Sequence, residues 1–186
     1  YNPLTPLYLN IKNFKSSIYH AVDAIEHQPF MPKKLIEQQE IILSKKVDKI
    51  FVTSKNIINK LKKHNCDILF APKSKNEVFN KFDDLKNLKA GPKGNILCGK
   101  IRPGHFDGVL KVVYMLFQLT EPNLSVFGLK DFQQLYLIKQ MAKKYFPKLK
   151  IISAPTIRSK NGLALSSRNA YLDETSIKIA PLFYKI

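Results

Sequence analysis

From Lys49 onward, short apolar runs alternate with segments of helical spacing: "KIFVTS", "KNIINKLKKH", "CDILFAP", then "LSVFG", "DFQQLYLIKQMAKKYF" and "KIISAPT". The short runs have strand length and the longer ones recur at three and four residues, so strand, helix and strand follow one another as βαβ units around a parallel sheet. The sequence therefore predicts an α/β, doubly wound parallel-sheet domain. Such sheets place ligands at the loops leaving the carboxyl ends of their strands. That rule singles out three stretches, "GKIRPGHF", "FGLKDFQQL" and "NGLALSSRNAYL".

The helix after "RPGHF" is apolar nearly all round (Val109, Leu110, Val112, Val113, Met115, Leu116, Phe117, Leu119), interrupted mainly by Lys111, Tyr114 and Gln118. Such a helix is expected to be buried on most of its surface. The next helix carries Phe132, Leu135, Ile138, Met141 and Tyr145 on one stripe, suited to covering a sheet face, and Pro147 helps to end it. Before Lys45, "NFKSSIYHAVDAIEH" and "KKLIEQQEIILSKK" both read as helices, separated by "QPFMP". The polar, Lys- and Asn-rich passage between Pro72 and Gly94 reads as a surface excursion with a helical turn in "NEVFNKFDDLKNL".

At 186 residues the chain suits one domain with a sizeable core. Thirty-one Lys and Arg against 14 acidic residues leave a net charge of +17, which favours polyanionic partners such as nucleic acid, an acidic membrane or nucleotide phosphates. The lysines are spread along the chain, so a solvated basic surface outweighs a nucleic-acid footprint. No apolar run approaches the ~18–20 residues of a membrane span, and "YNPLTPLYLNIKNFK" lacks a signal-peptide pattern, so a cytoplasmic location is expected. A start at Tyr1 leads us to expect that the natural N-terminus is missing. Cys66 and Cys98 lie in apolar surroundings and read as reduced, buried thiols.

In "FGLKDFQQL", Gly128 would let the chain turn off its strand, Lys130 offers a mobile cation and Asp131 can cap the following helix. A phosphate at that helix start would meet backbone N–H groups, the helix dipole and an ammonium together; a capped helix with a surface lysine fits the spacing equally well. Gln133 and Gln134 point about 100° apart, so at most one of them faces a crevice. In "LSSRN", Ser166, Ser167 and Arg168 combine two hydroxyls with a guanidinium fork suited to phosphate oxygens. Arg102 is a phosphate or carboxylate candidate, and His105 follows Gly104 in the same loop. Neither GxxxxGK[ST] nor GxGxxG occurs, which argues against a P-loop or dinucleotide fingerprint.

Taken in order, "RPGHFDGV", "FGLKDFQQL" and "GLALSSRNAYL" resemble the patterns RPGHFxGV, GEKDxQQ and GLAMSSRNxYL of pantothenate synthetase (pantoate–β-alanine ligase), of the nucleotidylyltransferase superfamily. "CDILFAP" is similar to the family's VDLVFAP strand, and the likeness runs from about Cys66 to Leu172. It implies a Rossmann-like, HUP-type nucleotide-binding domain. It also implies ATP-dependent ligation of pantoate and β-alanine through a pantoyl adenylate, with Mg²⁺ assisting. Carried over, Gly128, Leu129, Lys130, Asp131, Ile157, Leu165, Ser166, Ser167 and Arg168 would lie at ATP, with Lys130, Ser166, Ser167 and Arg168 as the catalytic group. Gln134 would bind pantoate, with Arg102 and His105 at the crevice edge. The resemblance implies pantoate and β-alanine as partners, a homodimer as an open expectation, and neither nucleic acid nor membrane.

The N-terminal part departs from the family. Its MPTMGALHxGH pattern has no HxGH counterpart here; by spacing His27 stands for the first histidine, while Pro29 and Phe30 replace the glycine and the second. The glutamine of SIFVNPxQF has only Thr5 or Asn56 in its place, and Leu129 replaces the glutamate of GEKD. The expected division is residues 1–60 as the divergent N-terminal part and 61–186 as the second half of the nucleotide-binding domain, without the family's smaller C-terminal domain. A reading from another class, a non-catalytic basic module binding nucleotide or nucleic acid, is kept beside it; a steep salt dependence of nucleic-acid binding would mark it.

Overall fold

The computed structural model describes residues 18–21, 33–47, 49–52, 69–70, 85 and 87–184. In chain order its named elements are β1 (Ile18–Ala21), α1 (Lys33–Lys46), β2 (Lys49–Val52), β3 (Leu69–Phe70), α2 (Cys98–Ile101), α3 (His105–Thr120), β4 (Leu124–Gly128), α4 (Phe132–Tyr145), β5 (Lys150–Ala154) and α5 (Glu174–Ile179). The chain divides into two compact units, Tyr1–Ala71 with Thr156–Ile186, and Pro72–Pro155.

In the first unit β1, β2 and β3 form a sheet in that order. All pairing is parallel, with Ile18 opposite Lys49 and Ile50 opposite Leu69. β1, α1 and β2 make one βαβ crossover, as parallel neighbours require a long connection. Ile18–Ala21 overturns the expected helix over "NFKSSIYHAVDAIEH". Four residues carry too little periodicity to announce a strand, and pairing with β2, whose partners lie 31 residues further on, supplies the hydrogen bonds that decide it. The expected helix in "KNIINKLKKH", His27, Asn56, Thr5 and Cys66 lie outside the described residues.

The second unit holds a further βαβ crossover. β4 and β5 pair in parallel from Leu124 opposite Lys150 to Gly128 opposite Ala154. α4 connects them and packs on α3. Its buried stripe is Leu135, Leu137, Ile138, Met141 and Ala142, with Ile138 fully enclosed. From α3 come Phe106, Leu110, Tyr114, Met115 and Phe117. Edge-on ring contacts knit this core: Tyr114 to Tyr145 at 5.4 Å, Tyr114 to Phe146 at 5.1 Å, and Phe117 to Phe127 at 6.2 Å.

Three details of these helices differ from the sequence pattern. Within apolar α3 Val112 and Leu119 are exposed, while Tyr114, read as an interruption, is buried. The Tyr114 hydroxyl accepts a bond from Gln118 Nε2 at 3.0 Å, which satisfies its polar end and lets the ring join the core. Phe132 is 65 % exposed: it occupies the first position of α4, after β4 has ended at Gly128, and so falls outside the stripe that covers the strands. Cys98 is an exposed free thiol at the start of α2, not a buried one. No helix among the described residues is long and apolar enough to cross a membrane.

Candidate nucleotide and substrate site

The turn after β4 is built as the parallel-sheet rule anticipates. The strand ends at Gly128, residues Leu129–Asp131 make one 3-10 turn, and α4 starts at Phe132. Gly128 itself has φ −72° and ψ 138°, an extended conformation open to any residue, and a Cβ there would meet nothing within 4 Å. The sharp turn expected of this glycine is thus not made by it. Asp131 stands at the N-cap of α4 but makes no side-chain cap bond. Its Oδ1 instead lies 3.8 Å from Lys130 Nζ, a loose pair between two partly exposed side chains. Exposed pairs of this kind contribute little, so Lys130 stays available to an anion. Leu129, where the family pattern has a carboxylate, is partly exposed beside them.

Arg102, Pro103 and Gly104 join α2 to α3 and do not leave a strand, contrary to the expectation for "GKIRPGHF". Gly104 has φ 73°, a left-handed conformation that L side chains rarely adopt, so glycine is required for the chain to enter α3 at this angle. Arg102 is exposed, its carbonyl accepting the His105 N–H at 3.1 Å. The His105 ring lies 5.0 Å from that of Phe106. Asp107, in the first turn of α3, accepts a 2.8 Å bond from the Ala90 N–H and pairs with Lys89 Nζ at 3.1 Å. The Ala90 N–H foremost, then the Lys89 ammonium, hold its carboxyl below the usual carboxylate range.

The two adjacent glutamines differ in what they touch. Gln133 Oε1 accepts from the Cys98 N–H at 3.1 Å, while its Nε2 donates to the carbonyls of Lys93 at 2.9 Å and Ile96 at 2.8 Å. Lys93 Nζ in turn bonds the Tyr136 hydroxyl and lies over its ring, 4.7 Å from the centroid. The Gln134 side chain makes no hydrogen bond to another described residue.

In the first unit, residues 158–164 form a tight antiparallel turn. Leu165 N–H donates to the Ile157 carbonyl at 2.9 Å, so two residues expected at the nucleotide are joined to each other by backbone. Ser166 Oγ caps the 3-10 turn Ser167–Tyr171 by accepting from the Arg168 N–H at 3.2 Å. Buried Asn169 donates from Nδ2 to the Ala164 carbonyl at 3.0 Å and so folds the "SSRN" segment back on the hairpin. The Arg168 side chain is exposed. Arg158 stacks on the Tyr184 ring at 3.7 Å and bonds the Gly162 carbonyl at 3.0 Å.

Asp107, Gln133 and Asn169 were not singled out as supports by sequence reasoning. Each of the three bonds backbone atoms, in two of the three cases far away in sequence, and no spacing rule reports those.

Comparison with known proteins agrees with these motifs. The family model described as Pantoate-beta-alanine ligase matches residues 45–186. The pantothenate synthetase of Acinetobacter baylyi is 46% identical over 120 residues, 64% of this chain and 42% of that protein. That of Shouchella clausii is 44% identical over 119 residues, 64% and 39% of the two chains. Among solved structures, the Francisella tularensis pantoate-beta-alanine ligase complexed with beta-gamma ATP and beta-alanine has a TM-score of 0.60 at 32% identity, covering 99% of this chain and 75% of its own. A pantothenate synthetase from Thermus thermophilus has a TM-score of 0.62 at 25% identity, covering 92% and 67%. The Rossmann-like α/β fold with parallel strands expected from the sequence is the fold shared with these enzymes. The chain spans about two fifths of the length of the curated relatives it matches. With three motifs in order, parallel βαβ crossovers in both units and a match over residues 45–186, the chain belongs to the pantoate-beta-alanine ligase family.

Proposed function

We propose that this protein takes part in the ATP-dependent ligation of pantoate and β-alanine to pantothenate. A pantoate carboxylate oxygen attacks the α-phosphorus of ATP, the bond from that phosphorus to the pyrophosphate bridging oxygen breaks, and pyrophosphate leaves. The neutral β-alanine amine then attacks the acyl carbon, AMP departs with the electron pair, and the amine's extra proton goes to solvent. Pantoate arrives ionised, so the first step needs no general base; it needs screening of the phosphate charges from the attacking carboxylate.

The observation that carries this reading is the turn after β4. Lys130 stands at the start of a 14-residue helix whose N-cap side chain caps nothing, and Gly128 keeps its approach clear. Helix N–H groups, helix dipole and ammonium together suit a phosphate. In this reading Lys130, Asp131, Leu129, Ile157, Leu165, Ser166, Ser167 and Arg168 serve ATP, Gln134 serves pantoate, and Arg102 and His105 hold its carboxylate end. Mg²⁺ is usually held by one or two carboxylates and the substrate's own phosphates, so in this reading it would arrive on the triphosphate, with Asp131 the carboxylate next to Lys130. Its contribution is neutralisation of phosphate charge. The reading includes action in the cytoplasm and, as the resemblance implies, a homodimer, which sedimentation of the protein tests.

Pantoate-dependent exchange of labelled pyrophosphate into ATP tests the chemistry. Exchange above the level without pantoate supports it; folded protein that shows no exchange and binds neither ATP nor pantoate overturns it.

A further inference from the structure

Gln133 has no amide donor left for a substrate. A side-chain amide has two N–H donors, and both of Gln133's are spent on main-chain carbonyls, those of Lys93 and Ile96. Its oxygen takes the Cys98 N–H. Two of these three partners, the Ile96 carbonyl and the Cys98 N–H, flank Leu97, which has φ 48° and ψ −122° without being a glycine. A side chain in that conformation is strained, and strain persists only where the surroundings hold it.

The surrounding turn has no slack. A Cβ on Gly94 would lie 2.4 Å from the Ala90 Cβ, and one on Gly99 would lie 1.8 Å from the Gly94 carbonyl oxygen. From Cys98 a single helical turn, α2, runs directly to Arg102, whose carbonyl receives the His105 N–H. The far end of the same segment is tied to α3 by Asp107 through Ala90. A displacement at Leu97 is therefore passed along α2 to Arg102 and His105.

We propose that Gln133 is a positioning residue: by gripping the strained turn on both sides of Leu97, it sets the place of Arg102 and His105 and leaves the substrate to its neighbour Gln134. The last clause rests on the ligation reading above; the grip itself does not.

Backbone amide exchange and ¹H–¹⁵N spectra of the protein carrying Gln133→Ala test this. The Cys98 amide should exchange roughly tenfold faster, as loss of about one net hydrogen bond implies, and the Arg102 and His105 resonances should move. Adding Leu97→Gly, which removes the strain the clamp restrains, should return those resonances towards their original positions. Should Gln133→Ala not fold, Gln133→Glu keeps the acceptor for Cys98 but loses both donors, and the same shifts are expected. In pyrophosphate exchange the Gln133 variant should raise the pantoate KM several-fold while changing kcat less. In the Gln133→Ala protein an unchanged Cys98 amide overturns the clamp, and in either variant Arg102 and His105 resonances that do not move overturn the positioning role. If the unsubstituted protein shows no pyrophosphate exchange, the ligation reading loses its support, and the spectra still decide the role of Gln133.

Discussion

Asp107 Oδ1 accepts a 2.8 Å hydrogen bond from the backbone N–H of Ala90, joining the first turn of α3 to a segment 17 residues earlier. A carboxylate in the first turn of a helix is already favoured by the dipole, and here it also satisfies a part-buried donor. The segment it holds is the one that leads, through Gly94, Leu97 and α2, to Arg102.

Removing this carboxylate with Asp107→Ala should lower stability by about 1–2 kcal/mol at neutral pH, because the Ala90 N–H loses a charged acceptor. The folded pKa lies below the unfolded one, so the charge-dependent part of this stabilisation is fully present above the unfolded pKa and fades as pH falls through the folded value. The gap between the two proteins in urea unfolding should therefore narrow below about pH 4. A gap that stays constant down to about pH 2, below the usual carboxylate range, would show that the carboxylate charge plays no part.

Gly128→Ala separates folding from binding. Its backbone is extended and the space around a Cβ is open, so the variant should be as stable as the unsubstituted protein or up to about 1 kcal/mol more stable, through the smaller entropy of its unfolded chain. ATP binding, measured by calorimetry, should weaken if the nucleotide comes close to that backbone. Unaltered ATP affinity would place the nucleotide elsewhere.

Lys130→Ala should reduce ATP affinity by roughly 10- to 100-fold, the range for a hydrogen bond to a charged group, with the melting temperature nearly unchanged because the side chain makes only a loose exposed pair. Gln134→Ala should weaken pantoate binding while leaving ATP affinity intact. Loss of ATP and pantoate binding together in the Gln134 variant would contradict this division of roles.

Ile138 is fully enclosed at the centre of the second unit, so Ile138→Ala should cost about 2–5 kcal/mol by leaving a cavity. Phe132→Ala, earlier on the same helix and exposed, should cost less than about 1 kcal/mol. Comparable losses at the two positions would mean that Phe132 is covered in solution.

Much of the fold was legible because its signals are local. The apolar runs at Lys49–Val52, Leu124–Gly128 and Lys150–Ala154 and the period of α1 and α4 appear where the sequence puts them. β1 was not legible, because four residues become a strand only by pairing with β2. Lys130 and Arg168 stood out by residue type and Gln134 was assigned to pantoate by resemblance, whereas the supporting bonds of Gln133, Asp107 and Asn169 were not anticipated. A glutamine that bonds main-chain atoms 35 to 40 residues away leaves no mark in spacing.

The parallel α/β class, the family and the candidate residues were all carried by the sequence, since they follow from periodicity and from side-chain types at short separations. Tertiary packing settled that Asp131 leaves α4 uncapped, that Tyr114 is core and Phe132 is not, and that the Gln133 side chain bonds the Ile96 carbonyl and Cys98 N–H on either side of Leu97 while that of Gln134 bonds no described residue. Each of those outcomes depends on which distant backbone groups come within hydrogen-bonding distance, and on which faces the packed helices cover. Residue type alone specifies neither.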